Sequence, residues 1–282
     1  MFGILLHQFA LCARVSENST RSFVLVIFCY KFTQLPQATN RWQQAEKTLR
    51  YYIGAYYLIK LRDSNFGTYE GKKIHTCSTC INDSFFNAWS ISWAEDGKNV
   101  NAETKSDFNL NEKLIKEIQN WTDKKMEENK IGWICTFADL ETITEYKSSF
   151  FPKAESEILS INFPETERNE LLNLFNPEKT NFGEIGLSIN LKKGITENKY
   201  EQTLGYDLIG IEDSSEFHSF HCHDLASELI EKFGIEINEY GLISKNDKWT
   251  EMVEYMNDEK NGFESSPWFY VKVNKVTEKA SG

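Results

Sequence analysis

From residue 41 onward the apolar pattern switches irregularly between a period of two and a period of 3.6, and this restricts the fold more than any motif does. Ala88–Trp93 alternates, with Trp89, Ile91 and Trp93 on one face, as a half-buried strand does. Leu114, Ile115, Ile118, Trp121 and Met126 recur at helical spacing through Asn129, which predicts an amphipathic helix. The same reading predicts helices over 138–149, 165–175, 225–233 and 247–257, and strands over 158–162, 186–191, 203–211 and 267–276. Pro164 is placed at a first helical position, ahead of Glu165 and Glu167. Asn40 as a cap, with Trp42, Ala45, Leu49, Tyr52 and Ile53 at helical spacing, predicts a further helix. Residues 55–61 either extend it or turn to strand after Gly54. Strands and helices do not alternate as a regular βαβ array. The expected fold is therefore α+β, a mixed, mostly antiparallel sheet with several packed amphipathic helices.

Residues 1–40 differ in kind. Residues 1–41 hold four basic residues (Arg14, Arg21, Lys31, Arg41) and one acid, Glu17, whereas the remainder has 27 basic and 41 acidic residues. Phe23–Tyr30 is an unbroken apolar run, shorter than the ~20 residues a bilayer span needs. As a leader, the segment would be cut near Pro36-Gln37-Ala38, where proline spoils the small-x-small pattern. A buried strand suits the β-branched and aromatic residues equally, and a non-native extension is the third reading. The expected organisation is an atypical 1–40 segment followed by one α+β domain over 41–282.

Charge narrows the function classes. The net charge of −11 argues against a nucleic-acid or anionic-membrane binder, whose footprint is basic, and favours a basic protein partner. Aromatic residues make up 14% of the chain, enough buried area to exclude a wholly disordered one. Six cysteines in 282 residues are too sparse for a secreted disulfide scaffold. A reducing cytoplasmic location is expected, with secretion after leader cleavage as the alternative. The Asn-, Lys-, Glu- and Ile-rich composition is of the kind an A+T-rich bacterial genome encodes.

Chemistry concentrates in two short segments, His75-Thr76-Cys77-Ser78-Thr79-Cys80 and His218-Ser219-Phe220-His221-Cys222-His223-Asp224, which hold four of the five histidines. Two thiolates at C-x-x-C spacing reach one tetrahedral ion from a tight turn. The candidate metal ligands are Cys77, Cys80, His221 and His223, with His75, His218 and Cys222 as alternates and zinc as the expected ion. Four fixed ligands would make the zinc structural; three and a water would allow hydrolysis, with Glu212 or Asp213 as base. Plainer readings compete. Cys77 and Cys80 suit small buried hydrophobes, His218 suits a wet strand face, and Asp224 suits a helix cap. Cys222 flanked by histidines also reads as a thiolate nucleophile.

His221, His223 and Glu228 resemble part of the cupin metal motif, H-x-H-x4-E. The cupin family needs a strand where 224–233 reads as helix, so the resemblance is set aside. H-E-x-x-H, G-x-x-x-x-G-K-[ST] and G-x-S-x-G are absent. The expected function is a non-catalytic binding protein, immunity-protein-like in general character only, engaging a basic partner. The alternative is a zinc-dependent hydrolase or a zinc-stabilised domain.

Overall fold

The computed structural model describes residues 49–60, 74–76, 78, 105–106, 108–131, 136–175, 186–197, 201–211, 217–222, 225–261, 263 and 266–277. They lie in one compact unit, Thr48–Gly282. The 1–40 segment, the 88–93 strand, Cys77, Cys80, His223, Asp224, Glu212 and Asp213 fall outside the described residues.

The elements in chain order are β1 (Tyr51–Lys60), α1 (Glu112–Glu127), α2 (Leu140–Phe150), β2 (Ser156–Pro164), α3 (Glu165–Leu174) and α4 (Gly186–Lys193). There follow β3 (Glu201–Ile211), β4 (Phe217–Ser219), α5 (Leu225–Phe233), α6 (Trp249–Met256) and β5 (Trp268–Val276). Five strands pair in the order β1-β2-β5-β3-β4, every described ladder antiparallel. The expected α+β class with a mostly antiparallel sheet is what the chain forms. No described helix is long and apolar enough to cross a membrane.

Local chemistry sets the helix ends. The Asn111 side chain accepts from the Leu114 N–H at 2.9 Å, and Asp139 from the Thr142 N–H at 2.8 Å, so α1 and α2 begin on side-chain caps. Gly234 follows α5 with φ +67°, and its N–H donates to the Ile230 carbonyl at 2.9 Å. Pro164 stands one residue earlier than expected, as the cap of α3 rather than its first residue.

Helices cover both faces of the sheet. On one face Ile161, Phe163, Ile209 and Val271 meet Leu171 of α3 and Leu187 and Leu191 of α4. The other face carries two separate clusters. Ile53, Tyr56, Leu58 and Ile158 pack with Ile115, Ile118, Ile143 and Tyr146 of α1 and α2. Leu208, Trp268 and Tyr270 pack with Leu229, Phe233, Met252 and Met256 of α5 and α6.

Two expectations fail, both because tertiary burial overrides a short local pattern. Tyr52 and Ile53, read as helical, lie in β1. This strand is buried on both faces and therefore shows no alternation. Gly54 marks a register shift between Ile53 and Ala55, and a Cβ there would lie 2.6 Å from the Phe163 ring. The glycine serves a close approach inside the strand, not a helix end. Residues 186–191, read as a strand, form helix α4. There Leu187 and Leu191 share a buried face at i,i+4 spacing. Asn190 is buried beside them and donates to the carbonyls of Gly54 and Ala138, both at 2.9 Å. That bond requires α4 to sit across β1.

Candidate functional site

Asp207 is the centre of the contact between the two segments singled out by cysteine and histidine. It sits in β3 opposite Val271, on the apolar face covered by α3 and α4, and is fully buried. Thr76 Oγ1 donates to its Oδ2 at 2.6 Å, and Ser219 Oγ to its Oδ1 at 2.8 Å. Burial pushes the carboxyl up to about 7, against the pull of Thr76, Ser219 and the Leu208 N–H. The Thr76 hydroxyl also accepts from the Ser78 N–H at 3.2 Å. Ser78 Oγ lies 3.5 Å from Cys222 Sγ, which accepts from the Ser219 N–H at 3.4 Å.

The four described histidine and cysteine candidates take separate positions around this hub. His221 is buried, its ring tilted against Phe220 with centroids 4.0 Å apart, and its Nε2 is 2.5 Å from the Gly241 carbonyl. That contact is satisfied by the tautomer in which Nε2–H donates to the carbonyl. Burial pushes the imidazole down to about 4, so it is neutral at pH 7. His75 packs edge-on to Tyr240, its Nε2 lies 3.6 Å from Glu157 Oε2, and its N–H donates to the Tyr240 carbonyl. His218 pairs opposite Gly210 and is buried; the wet strand face expected for it is not what forms. Its neighbour Ser219 points to the other side of the sheet, as strand alternation requires.

The structure thus brings the segments together through Thr76–Asp207 and Ser78–Cys222. Among the described residues no three His, Cys, Asp or Glu side chains converge as a metal site. Cys77, Cys80 and His223 lie outside them.

A second polar cluster escaped the sequence reading. Ser160 and Asn162 of β2, with Lys272 and Asn274 of β5, form a buried row between the two apolar clusters on the α1–α2 and α5–α6 face. Ser160 Oγ donates to Glu201 Oε2 at 2.7 Å, and Lys272 pairs with Glu197. The signal was present in the chain: Ser160-x-Asn162 and Lys272-x-Asn274 place polar residues at every second position of otherwise apolar strands. Read as strand faces, these are polar groups in a position that normally demands partners.

Comparison with protein-family models, with curated proteins and with solved structures finds no match.

Proposed function

We propose that the chain is a non-catalytic binding protein that engages a basic protein through residues 225–261. One observation carries this reading. The segment has nine carboxylates (Glu228, Glu231, Glu236, Glu239, Asp247, Glu251, Glu254, Asp258 and Glu259) against four lysines, and every carboxylate is exposed. Five of the chain's eleven surplus negative charges therefore lie on 37 residues built around α5 and α6. The apolar residues of the same helices, Leu229, Phe233, Met252 and Met256, are turned into the core. A field of one sign steers a basic partner and rejects an acidic one. The cytoplasm is the compartment this reading assigns, on cysteine usage.

The test is co-purification from source-cell extract with crosslinking. The wild-type chain is compared with one carrying Lys in place of Glu231, Glu236, Glu251 and Glu254. The wild type is expected to retain one basic protein in stoichiometric amount, released at roughly 0.5 M salt, where charges are screened beyond ~4 Å. The variant, with near-unchanged thermal stability, is expected to retain at least about tenfold less, as loss of charge complementarity implies. Equal retention by both proteins, or recovery of no basic protein, counts against the reading.

A second reading is favoured by the Thr76–Asp207 and Ser78–Cys222 contacts. It is a zinc site formed by Cys77, Cys80, His221 and His223, serving as a structural staple or as a hydrolytic centre. Metal content measured on protein purified without a metal-affinity step separates the outcomes. About one zinc per chain, lost in Cys77→Ser and in His221→Ala, is the expected result for this reading. Metal-free wild-type protein would retire it.

A further inference from the structure

The buried row on the α1–α2 and α5–α6 face has its hydrogen-bond donors spent and its acceptors in surplus. Asn162 Nδ2 donates to Ser160 Oγ at 2.9 Å and to the carbonyls of Ser160 and Lys272, both at 3.3 Å. Asn274 Nδ2 donates to Glu197 Oε2 at 3.2 Å and to Glu201 Oε2 at 3.1 Å. These contacts fix the orientation of both amides, because a flip would turn oxygen toward oxygen. The Oδ1 atoms of Asn162 and Asn274 are then buried with no partner among the described residues. Buried carbonyl oxygens in folded proteins nearly always have a donor, so two in one row point to a missing one.

Charge gives the same direction. Glu197 and Glu201 carry two negative charges along the row, and Lys272 supplies one positive. Lys272 also shows what this environment stabilises. Its Nζ lies 3.9 Å from the centroid of the Tyr51 ring while pairing with Glu197, an ammonium held between an aromatic face and a carboxylate. The Tyr51 hydroxyl is hydrogen-bonded to Tyr206. Tyr206 and Tyr270 lean on Trp249, with centroids 5.0 and 5.2 Å apart. The Tyr51 ring and the Glu197 carboxylate thus meet at Lys272, and the row reaches solvent there, where the Glu197 side chain is 34% exposed.

We propose that this row binds a small organic cation, a primary amine or a guanidinium, whose N–H groups meet Asn162 Oδ1 and Asn274 Oδ1 and whose charge offsets the surplus carboxylate. A neutral polyol could supply donors too, but it leaves the charge unbalanced. The site is independent of the acidic surface of α5 and α6 and shares none of its carboxylates.

Calorimetric titration of the full chain at low salt tests the inference, with putrescine and arginine as cationic probes and glucose as the neutral one. Saturable binding of putrescine or arginine, and none of glucose, is expected. Glu201→Gln keeps acceptors for Ser160 and Asn274 but removes the charge, and should weaken cation binding about tenfold. Lys272→Met removes the resident ammonium and should strengthen it by about the same factor. Circular dichroism checks that each variant is folded; should Lys272→Met fail to fold, Glu201→Gln decides. No saturable binding of either cation to the wild type, equal binding of glucose, or unchanged affinity in Glu201→Gln would overturn the proposal.

Discussion

Trp268→Ala is expected to destabilise the fold by about 3–5 kcal/mol, the range for deleting a large aromatic side chain from a packed core. Trp268 is 1% exposed and stands at the start of β5, the central strand, where its ring packs into the cluster that joins the sheet to α5 and α6. Gly210, directly opposite on β3, already brings backbone so close that an added Cβ would lie 3.0 Å from the Trp268 ring. Asn257, just after α6, fixes the same point from the other side. Its Oδ1 accepts from the Trp268 N–H at 2.9 Å and its Nδ2 donates to the Trp268 carbonyl at 3.1 Å. Urea unfolding followed by fluorescence and circular dichroism measures the loss. A change under about 1 kcal/mol, the range of surface substitutions, would mean the ring is not packed as described.

Asp207→Asn is expected to remove a pH dependence that the wild type carries. The unfolded chain releases the Asp207 proton near 3.8, and the folded chain holds it to about 7. Between those values the folded state binds more protons than the unfolded one, so stability falls as pH rises through the window. At ~1.4 kcal/mol per pH unit the full fall attributable to this one group is roughly 4 kcal/mol. Asparagine offers a similar shape to Thr76 and Ser219 and has no proton to lose. The two proteins should therefore unfold at similar urea concentrations below about pH 4, and the Asn variant should be the more stable by about 1–2 kcal/mol at pH 5 and by roughly 4 kcal/mol at pH 8. Glu167, pushed up to about 8 by burial, falls in the same sense and persists in both proteins. His221 acts oppositely: its folded value of about 4 lies below the ordinary 6.5, so its contribution is lost as pH falls through that range. Both cancel in the difference between wild type and variant. Parallel pH profiles for the two proteins would show that Asp207 is not a buried carboxylate.

The helices that were legible from the chain are those with one wet face and a capping residue. Leu114, Ile115, Ile118 and Trp121 gave α1 within two residues of its start, and Leu225, Leu229 and Phe233 with Gly234 gave α5. Strands β3 and β5 were legible from dense β-branched and aromatic residues. The failures have one physical origin. Where a segment is buried all round, as β1 is, apolar residues appear at every position and the period vanishes. Where only one turn or two of helix is buried, as in α4, a period of two fits as well as 3.6.

The candidate sites divide in the same way. Residue type and spacing singled out Thr76's segment and the 218–224 segment, because histidine and cysteine are rare in this chain and four histidines crowd into two places. That these segments touch, 144 residues apart at Ser78 and Cys222, and share Asp207 through Thr76 and Ser219, depended on β3 and β4 pairing. No local pattern encodes such a contact. The Ser160, Asn162, Lys272 and Asn274 row needed more still, since β2 and β5 are separated by more than a hundred residues and become neighbours only in the sheet.

The sequence by itself determined the α+β class, most of the helices and the acidic character of the 225–261 segment, because helix amphipathicity and net charge are properties of neighbouring residues. Only the tertiary structure decided that Tyr52 and Ile53 are strand, that 186–193 is helix, that Asp207 is a buried hub and that the Asn162 and Asn274 oxygens are buried with no hydrogen-bond partner among the described residues. Those features arise from which strand lies beside which, and burial energy acts on that pairing rather than on the local chain.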